Sequence, residues 1–200
     1  MKAQIIIYLF HIKVHVELWR HITQNNQKAT FLPPMVFITK PKAMTIRPAK
    51  DVDIDAILKL FYDTVTNVCE ADYNHEQIKV WASSANQKQK WLNRINKQYF
   101  IVAEHNNKIV GFGSIEKGEY LDLLYVHMDY IRQGIATMLL MELEKESDKH
   151  HKGFISAHVS ITAKPFFEKH GFKVIQQQTK LFNNVEITNY KMIKEKATVV

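Results

Sequence analysis

From Met44 onward the sequence predicts a single α/β domain. Apolar, β-branched and aromatic runs at 99–103, 109–115 and 120–126 are separated by short turn sequences, the pattern of an antiparallel meander. Stretches with apolar residues at helical spacing precede and follow these runs. A fourth apolar run, a short helix and a closing hairpin complete the pattern.

Met44-Thr45-Ile46-Arg47 reads as a short strand closed by Pro48. Asp51 or Asp53 can cap the next helix, in which Ile54, Ile57, Leu58, Phe61 and Val65 share a face. A second helical region carries Ile78, Trp81, Trp91, Leu92 and Ile95, and its polar middle, Ala82 to Lys90, reads as a loop. Tyr99 to Ala103 is a strand, His105 to Lys108 a turn, and Ile109 to Ile115 the returning strand. Glu116-Lys117-Gly118 turns the chain again into a strand from Tyr120 to Val126. A loop to Gln133 leads to a helix from Gly134 to Lys149, with Ile135, Met138, Leu139 and Leu143 apolar. Phe154 to Val159 is a strand, and Pro165 to His170 a short helix ended by Gly171. Phe172 to Lys180 and Val185 to Ile193 form a hairpin around Asn183-Asn184.

Composition excludes several classes. With 46% hydrophobic and 24% charged residues the chain fills a core and is neither disordered nor fibrous. One cysteine, Cys69, rules out an internal disulfide framework or a Cys-rich zinc site and fits a reducing cytoplasm. The net charge of +7 sits mostly in residues 1–43, which hold six bases and one acid, so the rest carries only +2. That body has no strong footprint for nucleic acid. Residues 1–43 also lack the uninterrupted apolar run of ~20 residues that a membrane span needs, and no small-residue cleavage site follows Ile5 to Phe10. They read as a leader outside the fold, with Met44 as a natural start. Strict alternation from Phe10 to Leu18 leaves an added edge strand as the alternative.

The stretch Leu124-Tyr125-Val126-His127-Met128-Asp129-Tyr130-Ile131-Arg132-Gln133-Gly134-Ile135-Ala136-Thr137 is strand, loop, helix. Glycine at the helix entrance lets a ligand approach the backbone, and the first-turn N–H groups with the helix dipole form an anion site.

Ile131 to Ala136 resembles the acetyl-CoA signature of the GNAT acetyltransferases, Gln/Arg-x-x-Gly-x-Gly/Ala, preceded by a strand ending in Leu-x-Val. Gly134 and Ala136 match it; Ile131 departs from the polar residue usual there. Ala163 to Phe172 resembles the family's Ala-x-x-Phe-Tyr-x-x-x-Gly-Phe element, with Phe167 where the family usually has tyrosine. Thr64-Val65, Ala71-Asp72-Tyr73, Glu76-Gln77, Trp81-Ala82, Tyr125-Val126-His127 and Ile187 to Met192 are similar to the YafP-like group. The resemblance spans residues 44–196.

It implies a twisted mixed sheet flanked by helices, with a V-shaped split between the fourth and fifth strands where acetyl-CoA lies. Leu124, Tyr125 and Val126 would line the pantetheine arm; Ile131, Arg132, Gln133, Gly134, Ile135, Ala136 and Thr137 would hold the pyrophosphate; Ser160, Ala163 and Phe166 would border the far side. An amine would attack the thioester directly, aided by a base. Asp122, an acid inside an apolar strand, ranks first, with Glu119 and Glu116 as alternatives and His127 as a proton shuttle. Because Phe167 cannot donate a proton, Tyr73, Tyr120 and Tyr125 are the candidates to protonate the thiolate. Asp72, Tyr73, Gln77 and Trp81 would form the acceptor wall, suited to a small cationic amine. No metal ligand set is recognisable, and His150-His151 reads as a solvated helix end. A small-molecule amine partner, no nucleic acid or membrane, a monomer or homodimer, and a cytoplasmic location complete the expectation. A module that binds acetyl-CoA without catalysis is the alternative that Ile131 and Phe167 favour.

Overall fold

The computed structural model describes residues 44–151 and 153–196; the leader reading and the alternation at Phe10 to Leu18 lie outside the described residues. Among the described residues seven strands form one sheet: β1 (Thr45–Pro48), β2 (Tyr99–His105), β3 (Lys108–Glu116), β4 (Tyr120–Val126), β5 (Phe154–Ser160), β6 (Lys173–Phe182) and β7 (Val185–Glu195). Their order is β1-β2-β3-β4-β5-β7-β6, antiparallel throughout except for the parallel pair β4 and β5. The helices are α1 (Ile54–Asn67), α2 (His75–Ala82), α3 (Lys88–Lys97), α4 (Ile135–Lys149) and α5 (Lys164–Lys169).

Each face of the sheet has its own core. On one, Ile54, Ile57, Leu60, Phe61 and Val65 of α1, recurring every three or four residues, pack with Trp91 of α3, Phe112 and Leu123. Trp91 is 1% exposed, edge-on to Phe112, and its indole N–H donates to the Ser84 carbonyl at 3.0 Å. On the other face α4 places Ile135, Leu139, Leu140 and Leu143 against Val110, Ile115, Ile155 and Phe167. Met138, expected on that buried face, is instead 39% exposed. The polar stretch after Ala82 is a 3₁₀ turn at 83–86, and helix resumes at Lys88, two residues before the expected loop ends. Asp53 occupies the N-cap of α1, but its carboxylate turns to Arg47 and to the Lys50 N–H rather than capping the helix with its side chain.

Two local devices position the site. The first is the closeness of α4 to the sheet: a Cβ on Gly111 would lie 3.0 Å from Ile135 Cγ2, and one on Gly113 would lie 2.9 Å from Leu143 Cδ1. Glycine at both positions seats the start of α4 beside the end of β4. The second is a bulge. Ser114 pairs with Leu123 but Ile115 pairs with Leu121, so Asp122 is the extra residue. The bulge lets Leu121 and Leu124 both face the α4 core while Leu123 packs with the α1–α3 core.

The parallel contact between β4 and β5 is brief. Tyr120 pairs with Ser156 and Leu121 with Ala157, and the ladder stops there. Beyond it β4 continues to Val126 and β5 to Ser160 without pairing to each other. This is the expected V-shaped split in a mixed sheet.

Candidate active site

The split opens into a cavity of about 650 Å³ that runs from the start of α4, between β4 and β5, to Thr64, Cys69 and Trp81. Its walls include Leu124, Tyr125, Val126, Ile131, Arg132, Gly134, Ile135, Ala136, Thr137, Ser160, Ala163 and Phe166, so twelve of the thirteen residues expected around acetyl-CoA share one space. Gln133 is the exception. Its side-chain amide donates to the Asp129 carbonyl at 3.0 Å and braces the loop. The Ile135 side chain is 1% exposed and packs in the α4 core, which leaves its backbone to face the cavity.

At the α4 end the backbone is arranged for an anion. Gly134 has φ 83° and ψ −3°, a left-handed conformation that turns the loop into the helix. The first helical bond is Met138 N–H to the Gly134 carbonyl at 3.0 Å, so the N–H groups of Gly134 to Thr137 have no intrahelical acceptor. A Cβ at Gly134 would have nothing within 4 Å. Those donors therefore front open space at the positive end of the helix dipole. Thr137 Oγ1 lies 3.1 Å from His170 Nε2, and His170 Nδ1 lies 2.8 Å from the Phe166 carbonyl. If Nδ1 donates to that carbonyl, Nε2 accepts from Thr137. His170, absent from the sequence expectation, thus ties α5 to α4 across the cavity.

The expected acid–base residues separate. Asp122 lines the cavity; its Oδ2 receives Arg94 Nε at 2.9 Å and Gln98 Nε2 at 3.0 Å. Tyr120 lies just behind the wall, its hydroxyl 3.1 Å from His158 Nδ1 on β5, and burial pushes its phenol up to about 12. Glu119 does not line the cavity; its carbonyl accepts from the Ser156 N–H at 2.8 Å. His127 is turned away, with Nε2 3.2 Å from Lys108 Nζ and Nδ1 3.3 Å from the Asp129 N–H.

The acceptor wall is also different from the expectation. Trp81 lines the cavity, but Asp72, Tyr73 and Gln77 do not. Asp72 is exposed on a turn. Gln77 forms a capping box with Asn74 at the start of α2, and its amide donates to the Glu186 carbonyl at 2.8 Å. Tyr73 is 5% exposed; its hydroxyl donates to the Thr188 carbonyl and accepts from the Ile161 N–H, both at 2.8 Å. Three further residues, none of them expected, line this end. The Thr64 hydroxyl donates to the Val126 carbonyl at 3.2 Å, Thr162 Oγ1 is buried in the wall, and the buried Cys69 thiol is pushed up to about 11 by desolvation. His158, like His170, is unforeseen. It reaches the wall from β5, opposite Asp122.

Phe167 is 4% exposed and packs edge-on against Phe166 and Phe172. No group of three or more His, Cys, Asp or Glu among the described residues is arranged to hold a metal, and no helix among them is long and apolar enough to cross a membrane.

A family model described as an acetyltransferase (GNAT) domain matches residues 69–194. YafP of Escherichia coli K12, an uncharacterized N-acetyltransferase, is 34% identical over 148 residues, which cover 74% of this chain and 93% of that protein. Among solved structures, a GCN5-related N-acetyltransferase from Rhodopseudomonas palustris superposes with a TM-score of 0.75 at 28% identity, covering 78% of this chain and 98% of that one. The PaiA N-acetyltransferase of Thermoplasma acidophilum, solved in complex with coenzyme A, superposes with a TM-score of 0.64 at 22% identity, covering 77% and 99% of the two chains.

Proposed function

This chain belongs to the GNAT family of acetyltransferases, and we propose that residues 44–196 transfer the acetyl group of acetyl-CoA to a small amine by direct attack in a ternary complex. The observation that supports this most is the continuity of the cavity. One space joins an anion-binding helix start, the unpaired edges of two strands and a carboxylate. The coenzyme A held by the Thermoplasma protein supports the choice of donor.

The residues fit such a molecule. The N–H groups of Gly134 to Thr137 suit a pyrophosphate, and the space beside Gly134 that a side chain would fill is open. Beyond Leu121 the β5-facing backbone groups of β4 are free of the ladder and suit a pantetheine amide. When bound, acetyl-CoA supplies an activated thioester. The same β4 N–H groups can stabilise the oxyanion that develops on its carbonyl.

Asp122 is the base in this reading. The bulge aims it toward α3, and Arg94 and Gln98 hold Oδ2, which leaves Oδ1 to take the amine proton directly or through water. The Tyr120–His158 pair stands beside it. Tyr73 drops out as an acid because both roles of its hydroxyl are occupied by backbone. Tyr125 stays in because it lines the cavity, although burial raises its phenol and makes it the weaker acid. A thiol pKa of ~8.5 lets the thiolate leave without a strong acid, so Phe167 is tolerable. We place the protein in the cytoplasm, where Cys69 stays reduced.

Thiol release from acetyl-CoA across an amine library, with calorimetric titration of acetyl-CoA, tests the proposal. Saturable release with at least one amine is expected. Tight acetyl-CoA binding with no release for any amine would favour a binding module instead, and no binding at all would end the reading.

A further inference from the structure

Resting on the acetyltransferase reading, we propose that the acceptor amine carries a carboxylate, held by the ammonium group of Lys180 beside His158. His158 is on the cavity wall, and Lys180 and Lys191 stand behind it, outside the lining itself. Lys180 Nζ, on β6, lies 2.9 Å from His158 Nδ1, and Tyr120 Oη lies 3.1 Å from the same nitrogen. An ammonium can only donate, so Nδ1 accepts and the ring proton of the neutral imidazole sits on Nε2. Lys191 is the direct cross-strand partner of His158 in the β5–β7 ladder, so both side chains emerge on one face.

This corner has cations without counter-charge. Lys180 is half-buried, and among the described residues its one hydrogen-bond partner is the His158 ring; no carboxylate lies within ion-pair distance of it. Other lysines at comparable depth are paired: Lys194 meets Glu144 at 2.6 Å and Lys196 meets Asp148 at 2.8 Å. Burial lowers the pKa of Lys180, and burial followed by the charges of Lys180 and Lys191 lowers that of His158. Asp122, the carboxylate acting on His158, is already committed to Arg94 and Gln98. A half-buried ammonium whose one hydrogen bond goes to a neutral ring still has donors to give, and an arriving carboxylate can accept them. A second ammonium on the acceptor would meet repulsion here. A carboxylate-bearing acceptor thus departs from the small cationic amine that the sequence suggests.

The experiment compares amino acids with their carboxamides as acceptors, reading thiol release from acetyl-CoA with the full chain. The carboxylate members should be preferred by about tenfold or more in kcat/KM, as loss of a charge-assisted hydrogen bond implies. Lys180→Met should bring the acid-to-amide ratio close to one, Lys180→Arg should keep most of it, and a melting curve on each verifies folding. Equal use of acids and amides by the parent, or an unchanged ratio in folded Lys180→Met, overturns the inference. So does a rise in the KM for acetyl-CoA in Lys180→Met, which would assign the ammonium to the nucleotide. If acetyl-CoA binds but no carboxylate member is acetylated, the inference fails and the donor-site reading stands. If acetyl-CoA does not bind, the reading beneath it fails as well.

Discussion

Substituting Gly134 separates two effects that meet at one residue. The backbone there has φ 83°, which an L-residue adopts at a cost of about 1–2 kcal/mol. A Cβ would contact nothing within 4 Å, so no steric term adds to that strain in the free protein. For a domain of this size each kcal/mol shifts Tm by about 2–4 °C, so Gly134→Ala should fold and melt roughly 2–8 °C lower. Gly134→Val should sit at the upper end, because β-branching is the worst fit to a positive φ. The effect on binding is distinct. The open space at the Cβ position fronts the free N–H groups of the α4 start, where the pyrophosphate would lie. A side chain there should weaken acetyl-CoA by about 1.4 kcal/mol or more, tenfold in Kd. Gly153 supplies the control: a Cβ there also meets nothing within 4 Å, and no positive φ is involved, so Gly153→Ala should alter neither property. Ile131→Gln, at a side chain 45% exposed, should leave affinity equal or modestly better. Calorimetric titration with acetyl-CoA and a melting curve for each variant decide the matter. A Gly134→Val protein that melts lower yet binds acetyl-CoA like the parent would mean that the pyrophosphate is not on this loop. One that also melts like the parent would mean that Gly134 is not held left-handed in solution.

Asp122→Asn should lower kcat with little change in acetyl-CoA affinity, because the lost group serves the transition state; equal turnover across pH would remove Asp122 from the mechanism. The Arg47 guanidinium holds the Asp53 carboxyl below its ordinary range, so this pair stabilises the fold above about pH 4 and the contribution fades as pH falls through the lowered folded value. Asp53→Asn should then cost about 1–3 kcal/mol at neutral pH and flatten the acid limb of urea-melt stability; an equally steep limb in both proteins would count against the pair. A chain starting at Met44 should keep the parent's melting temperature, and a large drop would show that residues 1–43 contribute to the fold.

Strand limits were legible where local chemistry marks them. The bounds of Tyr120 to Val126 show in the sequence because Gly118 turns the chain before it and a polar loop follows. The Asn183-Asn184 turn was readable for the same reason, and both residues do adopt positive φ. The bulge at Asp122 was not legible as such: it exists only in the register between β3 and β4. Its trace was an acid in an apolar run. His158 left a fainter trace, the alternation Ser156, His158, Ser160, which puts all three on one face. What makes His158 notable comes from Tyr120 and Lys180, on two other strands.

Tyr73 gives the physical reason why such sites resist reading. The β5–β7 ladder ends at Ser160 with Asn189, and continuing the register would set Ile161 opposite Thr188. The Tyr73 hydroxyl stands between them, accepting from the Ile161 N–H and donating to the Thr188 carbonyl. Where the sheet opens, backbone groups lose their ladder partners and must find others. The Thr64 hydroxyl does the same for the Val126 carbonyl at the end of β4. Both residues come from the helical segment between β1 and β2, far in sequence from the strands they close. Splitting a sheet to admit a ligand thus creates two kinds of polar residue at the opening. Some serve the ligand and some replace the missing ladder, and their residue types overlap. Spacing alone cannot sort them; the distinction lies in whether a hydroxyl still has a bond to give once the backbone is satisfied. By that criterion Tyr73 closes the sheet, while Asp122 Oδ1 and the Lys180 ammonium keep hydrogen-bonding capacity that no described residue uses.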